Sequence, residues 1–208
     1  MNFLTSETIY WLLFAIPSIL IASTLHEYAH ALTAVKFGDP TPKAYGRLTL
    51  NPLAHIDPIG ALSMILLRFG WSKPVPIDTR NFDNERLGIA LTSLAGPASN
   101  ILMLLLTALV NHLFTNSTTP LLSTFLTTFG MINLVLAIFN LIPIPPLDGH
   151  KIVGAMLPKK LSYYWDSLEK YYIVFILILI LPIFGFGSIA SLLIGTLSSK
   201  ALLLLGFL

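Results

Sequence analysis

T-I-Y-W-L-L-F-A-I-P-S-I-L-I-A-S-T-L-H-E-Y-A-H, Thr8 to His30, is the stretch that decides how the rest of the chain is read. Its first eighteen residues, Thr8 to Leu25, carry no charge, and H-E-Y-A-H follows at once. An apolar run of that length makes a helix able to cross a bilayer. On a helix, His26 and His30 lie four apart and share a face, one turn from each other. Two imidazoles at that spacing can hold one Zn²⁺, and Glu27 between them can act as general base toward water at the metal. Ionisable groups at the end of a membrane span are costly, which marks them as functional. The plainer alternative is a pair of buried neutral histidines beside Glu27. A cleaved signal peptide would need a basic leading segment. Residues 1–7 contain no Lys or Arg and one Glu, so the run is expected to be a retained span.

The composition agrees with a membrane setting. The 208 residues are 55% hydrophobic and 11% charged, against about 25% charged in a soluble domain. No Lys, Arg, Asp or Glu stands between Arg86 and Asp148, or between Lys170 and Lys200. The chain reads as an integral membrane protein in contact with the lipid bilayer, and no nucleic-acid partner is expected. There is no cysteine, hence no disulfide and no thiolate ligand; a zinc site must use His and carboxylate.

The first span is expected over about Thr8–Phe37, with Pro17 able to kink it. The stretch K-A-Y-G-R-L-T-L, Lys43 to Leu50, reads weakly as a strand. Pro58–Gly70 is apolar but too short to cross as a helix, which suits a re-entrant or interfacial segment. Ser72–Arg80 alternates apolar and polar residues, and Pro74 and Pro76 suit an edge strand. Leu87–His112 and Leu121–Ile142 are the second and third spans. Pro143, Pro145 and Pro146 then place Asp148 on irregular backbone, where Gly149 permits unusual angles. Tyr171–Phe186 and Ser188–Phe207 read as a C-terminal pair of spans. Trp11, Trp71 and Trp165 read as interfacial anchors. The fold class is thus an all-α polytopic membrane protein with about five transmembrane helices, a re-entrant segment and a small strand-like element. One domain fills residues 1–208, with a core over 8–157 and a helix pair over 171–207.

Lys and Arg in short loops set orientation. Residues 36–86 carry seven and residues 150–170 carry four, while residues 1–8, 112–120 and 182–188 carry none. The N-terminus is then outside, and spans one and three both run toward the cytosol. His26, His30 and Asp148 fall at one depth. A catalytic zinc takes about three protein ligands and keeps one position open. Asp148 is the only acidic residue between Glu85 and Asp166 and is the candidate for the third ligand. Its rival role is to cap a helix over Lys151–Leu157. His55 and Asp57 read equally as partners orienting a ligand imidazole or as loop residues. His150 is expected to face solvent, and Asn100 to join helices by hydrogen bonds.

H-E-Y-A-H on a first span, A-G-P-A-S-N (Ala95 to Asn100) on a second and N-L-I-P-I-P-P-L-D-G (Asn140 to Gly149) after a third together resemble the site-2 protease family of intramembrane zinc metalloproteases. N-P-L-A-H-I-D-P, Asn51 to Pro58, is similar to its short bacterial and archaeal members. The resemblance covers residues 8 to about 157. It implies cleavage of a substrate's transmembrane segment, zinc on His26, His30 and Asp148, and Glu27 activating water. It also implies that Asn140 holds substrate backbone near the metal. The chain departs from some members in Leu147 before the aspartate and His150 after Gly149, and no PDZ or CBS-like domain is recognised. A helical substrate must unwind before hydrolysis, and the edge around Val75 and Ile77 is expected to pair with it. The expected location is the cell membrane, multi-pass, with the active site toward the cytosol. The competing function is a transporter or metal-binding scaffold of the same fold; the single broken segment and absence of a repeat count against a transporter.

Overall fold

A computed structural model of the chain describes residues 6–67, 70–114, 119–181 and 188–205. The apolar run that opens the sequence becomes α1 (Ser6–Lys36), a single helix that carries Pro17 inside it. Proline there supplies no N–H to the carbonyl four residues back, yet the helix continues on either side. Two more long helices follow. In α4 (Glu85–Phe114), Asn84 accepts the Leu87 N–H at the start, at 3.1 Å. In α5 (Pro120–Asn140), Thr119 is the N-cap and Pro120 fills the first helical position, where a missing N–H costs nothing. At 1.5 Å per residue, even the shortest of the three reaches about 30 Å, the thickness of a bilayer's hydrocarbon core. Among the described residues these three helices are long and apolar enough to cross a membrane.

Their faces are sorted in the sense opposite to a soluble bundle. On α4 the buried side carries Thr92, Ser93, Gly96, Asn100 and Thr107, while Leu91, Leu94, Leu102, Leu105 and Leu109 are exposed. In water the large apolar groups would turn inward. In lipid they face out at no cost, and small or polar residues line the helix contacts. The chain is a membrane protein. Helix α4 is the centre of the packing, against α1, α5 and the short helix α6 (Asp148–Met156), and α1 also packs on α5.

Short elements join these helices: α2 (Thr41–Ala44), α3 (Pro58–Leu67), α6 (Asp148–Met156) and α7 (Lys159–Asp166). Two more, α8 (Tyr172–Ile180) and α9 (Ile189–Leu204), follow near the C-terminus. Leu104, Leu134 and Leu202 bring α4, α5 and α9 together in one apolar cluster. The expected C-terminal pair of spans corresponds to α8 and α9, neither of which is among the three membrane-length helices; residues 182–187 and 206–208 of that expectation lie outside the described residues.

The strand-like element is corrected. Among the described residues there is no strand; Ile56 and Ser72 form an isolated antiparallel bridge. Lys43 and Ala44 end α2, and Ser72–Asp78 runs extended into a 3-10 turn at Thr79–Asn81. A strand needs a neighbour over several residues, and Pro74 and Pro76 remove two of the N–H groups a ladder requires. The extended segment is anchored at both ends. Lys73 N–H donates to the His55 carbonyl at 2.8 Å. At the other end, buried Asp39, just past α1, accepts hydrogen bonds from the Asp78 N–H, the Asn81 amide, and the N–H and hydroxyl of Thr41.

Candidate metal centre

His26 and His30 project from the last third of α1 toward α4, as their four-residue spacing requires. The chain that leaves α5 passes three prolines and re-enters helix at Asp148, the first residue of α6. This brings Asp148 Oδ2 to 3.2 Å from His26 Nε2 and 3.2 Å from His30 Nε2, while the two Nε2 atoms are 3.0 Å apart. All three side chains are nearly closed to solvent. The structure thus brings together the three residues expected to lie near one another.

Protons decide what this triangle is. His30 Nδ1 is 2.7 Å from the Thr92 carbonyl, which can only accept, so Nδ1 carries the proton. His26 Nδ1 is 2.7 Å from Asn100 Oδ1, again an acceptor. In neutral imidazoles, both Nε2 atoms then present lone pairs to each other and to the carboxylate. Asp148 Oδ2 is buried and receives no hydrogen bond among the described residues. Three electron-rich atoms cannot stably converge at such distances in a buried site without a cation or a shared proton between them. Ligands held at about 2.0–2.1 Å around tetrahedral zinc stand about 3.3 Å apart, close to the spacing here. Two imidazoles and one carboxylate also form a donor set used by catalytic zinc. The residues fit the metal.

Two glycines make the close approach geometrically feasible. A Cβ at Gly96 on α4 would collide with His30 Nε2 and with Cε1 of both imidazoles. A Cβ at Gly149 would collide with the backbone carbonyls of Leu141 and Ile142, against which the start of α6 is pressed. Gly149 is therefore needed for space: it is helical, and the described glycines with positive φ are Gly38 and Gly46.

Known proteins place this geometry. Residues 115–183 match the model of peptidase family M50. YwhC of Bacillus subtilis, named as a candidate zinc metalloprotease, is 38% identical over 178 residues, covering 82% of this chain and 81% of that protein. The chain belongs to peptidase family M50. Rip2 of Mycolicibacterium smegmatis, named in the same way, is 32% identical over 67% of this chain and 54% of its own length. The zinc metalloprotease MJ0392 of Methanocaldococcus jannaschii is 28% identical over 91% of this chain. The chain spans about half the length of these last two relatives. No solved structure matches it. It is a member of M50, the site-2 protease family, whose relatives above are named as zinc metalloproteases, and the His–His–Asp group is where the structure can accept a metal.

The other candidate site residues of this M50 peptidase fall as follows. Glu27 lies in the same turn of α1 and is buried. Both of its oxygens are engaged: the Ser72 hydroxyl donates to Oε1 at 2.6 Å and the Val75 N–H donates to Oε2 at 3.2 Å. Val75 was expected to offer a free strand edge, and its N–H is instead committed to Glu27. Ile77 lies farther along the same extended segment and is half-buried. Asn140 is the last residue of α5, its amide donating to the Leu136 carbonyl at 3.0 Å.

Partners for the ligand imidazoles come from α4. Asn100 binds His26 and the Thr92 carbonyl binds His30. His55 and Asp57 have other partners. His55 Nε2 bonds the Thr49 carbonyl at 2.9 Å, and Asp57 Oδ1 accepts the Ile59 and Gly60 N–H groups at the start of α3. Asn100 joins α1 and α4 by hydrogen bonds, as expected, both through the Ala22 carbonyl and through the imidazole of His26. Asn133 on α5, whose Oδ1 accepts from the Asn100 amide at 2.9 Å, has no sequence signal, because an Asn in an apolar run carries no periodic mark of its partner. Asp148 is not the N-cap of α6, a position held by Leu147. His150, expected in solvent, is 1% exposed: its ring stacks on Trp165, and it bonds the Trp165 carbonyl while Trp165 Nε1 donates to its own. The C-terminal part of the chain covers that side of α6, which no local signal around His150 foretells.

Proposed function

We propose that this chain is an intramembrane protease of M50 type that hydrolyses peptide bonds within or near the transmembrane segments of membrane-protein substrates. The observation that carries the reading is the convergence of three lone-pair atoms, on His26, His30 and Asp148, beside Glu27 and between helices of membrane length. In this reading the three residues hold zinc, which when bound supplies a Lewis acid for the scissile carbonyl and for water. Glu27 takes the proton of the attacking water and returns it to the leaving amine. His26 and His30 stay neutral, with their Nδ1 protons fixed by Asn100 and the Thr92 carbonyl. The buried surroundings keep bulk water from the carboxylates and strengthen these interactions.

Access to Glu27 runs past the extended segment. To accept a proton, the carboxylate must give up its bond from Ser72 or from Val75. An unwound substrate entering along Ser72–Asp78 would displace those bonds, so that the freed Val75 N–H and the Ile77 region pair with substrate backbone. The Asn140 amide, at the point where α5 ends, is suited to hold the same backbone. The orientation that fits the basic loops places residues 36–86 and 150–170 in the cytosol of a multi-pass cell-membrane protein, with α3 re-entrant and α8 and α9 completing about five spans.

The test uses the purified chain in lipid nanodiscs with a transmembrane peptide substrate. Glu27→Gln should abolish cleavage while zinc content stays at the wild-type level, since a carboxamide keeps the side chain's shape and removes its basicity. A scaffold or transporter would show no hydrolysis in either protein. Cleavage persisting in Glu27→Gln removes the glutamate from the mechanism.

A further inference from the structure

A chain of amide hydrogen bonds runs from α5 through α4 to His26. Asn133 and Asn100 are both fully buried. Asn133 Nδ2 donates to the Phe129 carbonyl at 2.9 Å. Asn100 Nδ2 donates to Asn133 Oδ1 at 2.9 Å and to the Ala22 carbonyl at 3.3 Å. Asn100 Oδ1 is then left to accept from His26 Nδ1, at 2.7 Å.

The direction of this chain is forced by its fixed ends. Phe129 and Ala22 present backbone carbonyls, which only accept. Turning the Asn133 amide over would set its Oδ1 against the Phe129 carbonyl and its Nδ2 against the Asn100 Nδ2. Turning Asn100 over would set its Oδ1 against the Ala22 carbonyl and Asn133 Oδ1. Each flip creates clashes of like polarity between fully buried groups, where an unmade hydrogen bond costs its full desolvation penalty. One orientation survives, and it protonates His26 at Nδ1. The two imidazoles thus differ. His30 is fixed directly by the backbone of Thr92, whereas His26 depends on two side chains.

We infer that Asn133, which among the described residues makes no hydrogen bond to the three candidate ligands, is a positioning residue that sets the tautomer of His26 through Asn100 and so keeps the Nε2 lone pair turned to the metal. This rests on the reading of His26 as a zinc ligand. What position 133 must supply is an acceptor toward Asn100. Asn133→Leu removes it at similar volume. Asn133→Asp keeps it whether the acid is charged or neutral, although a buried acid is the harsher change for stability.

The experiment follows the ring nitrogens of histidine in the metal-free protein at pH 8 by NMR, using histidine labelled with ¹⁵N, and zinc affinity by competition with a chelator. In Asn133→Leu, His26 should lose its single Nδ1–H form and become a mixture of tautomers, while His30 keeps its own. Zinc should bind about ten-fold more weakly, the low end for loss of an outer partner. Asn133→Asp should restore both the His26 tautomer and the affinity. An unaltered His26 spectrum in Asn133→Leu would overturn the inference. So would equal disturbance of His26 and His30, which marks a merely structural role. The metal-site reading fails separately, and only if His26→Ala retains full zinc.

Discussion

Gly96 shows how tightly the centre is specified at the scale of one residue. Both imidazoles lie against the place its Cβ would occupy, so Gly96→Ala must push the candidate ligands apart or drive α4 away from α1. Overpacking of this kind costs about 1–3 kcal/mol, and the displacement is aimed at the metal. The expected result is a lower thermal midpoint together with a zinc-to-protein ratio well below wild type; an alanine variant with full zinc and full stability would show that the helices can part without disturbing the site. Asp39 is the complementary case, a buried carboxylate remote from the metal. Burial alone raises its pKa, but the hydrogen bonds from the Thr41 hydroxyl, Asn81, and the Asp78 and Thr41 N–H groups outweigh burial and hold it below the ordinary value. Its contribution is therefore fully present above the unfolded-state pKa of about 3.9 and is lost as pH falls from there through the folded value. Asp39→Asn should lower the thermal midpoint at pH 7, costing about 1–3 kcal/mol, with the difference from wild type shrinking below about pH 4. A difference that stays constant with pH would mean that the charge of Asp39 is not what holds the segment.

The element that would govern access in the proposed mechanism is the extended segment Ser72–Asp78, a piece of backbone with the composition of an edge strand and no sheet to join among the described residues. It uses its polar groups on Glu27 at one end and on Asp39 at the other. If substrate must displace it, fixing it in place should inhibit. Ile56 and Ser72 face each other across the antiparallel bridge, where opposed Cβ atoms lie about 4.5–5.5 Å apart, near the span of a disulfide. The chain has no other cysteine to interfere. Ile56→Cys with Ser72→Cys should lose cleavage when oxidised and regain it on reduction, at unchanged zinc content. Equal cleavage in both redox states would show that the segment need not move.

At the scale of the whole molecule, the inverted sorting of α4, with Leu outward and Thr, Ser and Asn inward, places the bundle in lipid. The distribution of Lys and Arg then gives it a direction. A Leu53→Cys variant, at an exposed position in the 36–86 region, should react with an impermeant thiol reagent only from the cytosolic face. Thr119→Cys, just before α5, should react only from outside. The reverse pattern would move the candidate centre to the opposite leaflet.

The three membrane-length helices and the pairing of His26 with His30 were legible in the sequence because both depend on short-range rules, and Asp148 was a candidate to join them. Length and hydropathy dictate a span, four-residue spacing puts His26 and His30 on one face, and a lone carboxylate after a proline run at matching depth has few alternative uses. Tertiary structure alone decided the rest. The proton positions on the imidazoles come from Asn100 and Thr92, over sixty residues away in the chain. The burial of His150 under Trp165, the engagement of Glu27 by Ser72 and Val75, and the absence of a sheet around Val75 have the same origin. Hydrogen-bond partners are chosen by which groups a fold buries together, and a buried polar group takes whatever partner is within reach. Residue type announces that a partner is needed, but only the packing of α1, α4, α5 and α6 determines which one it is.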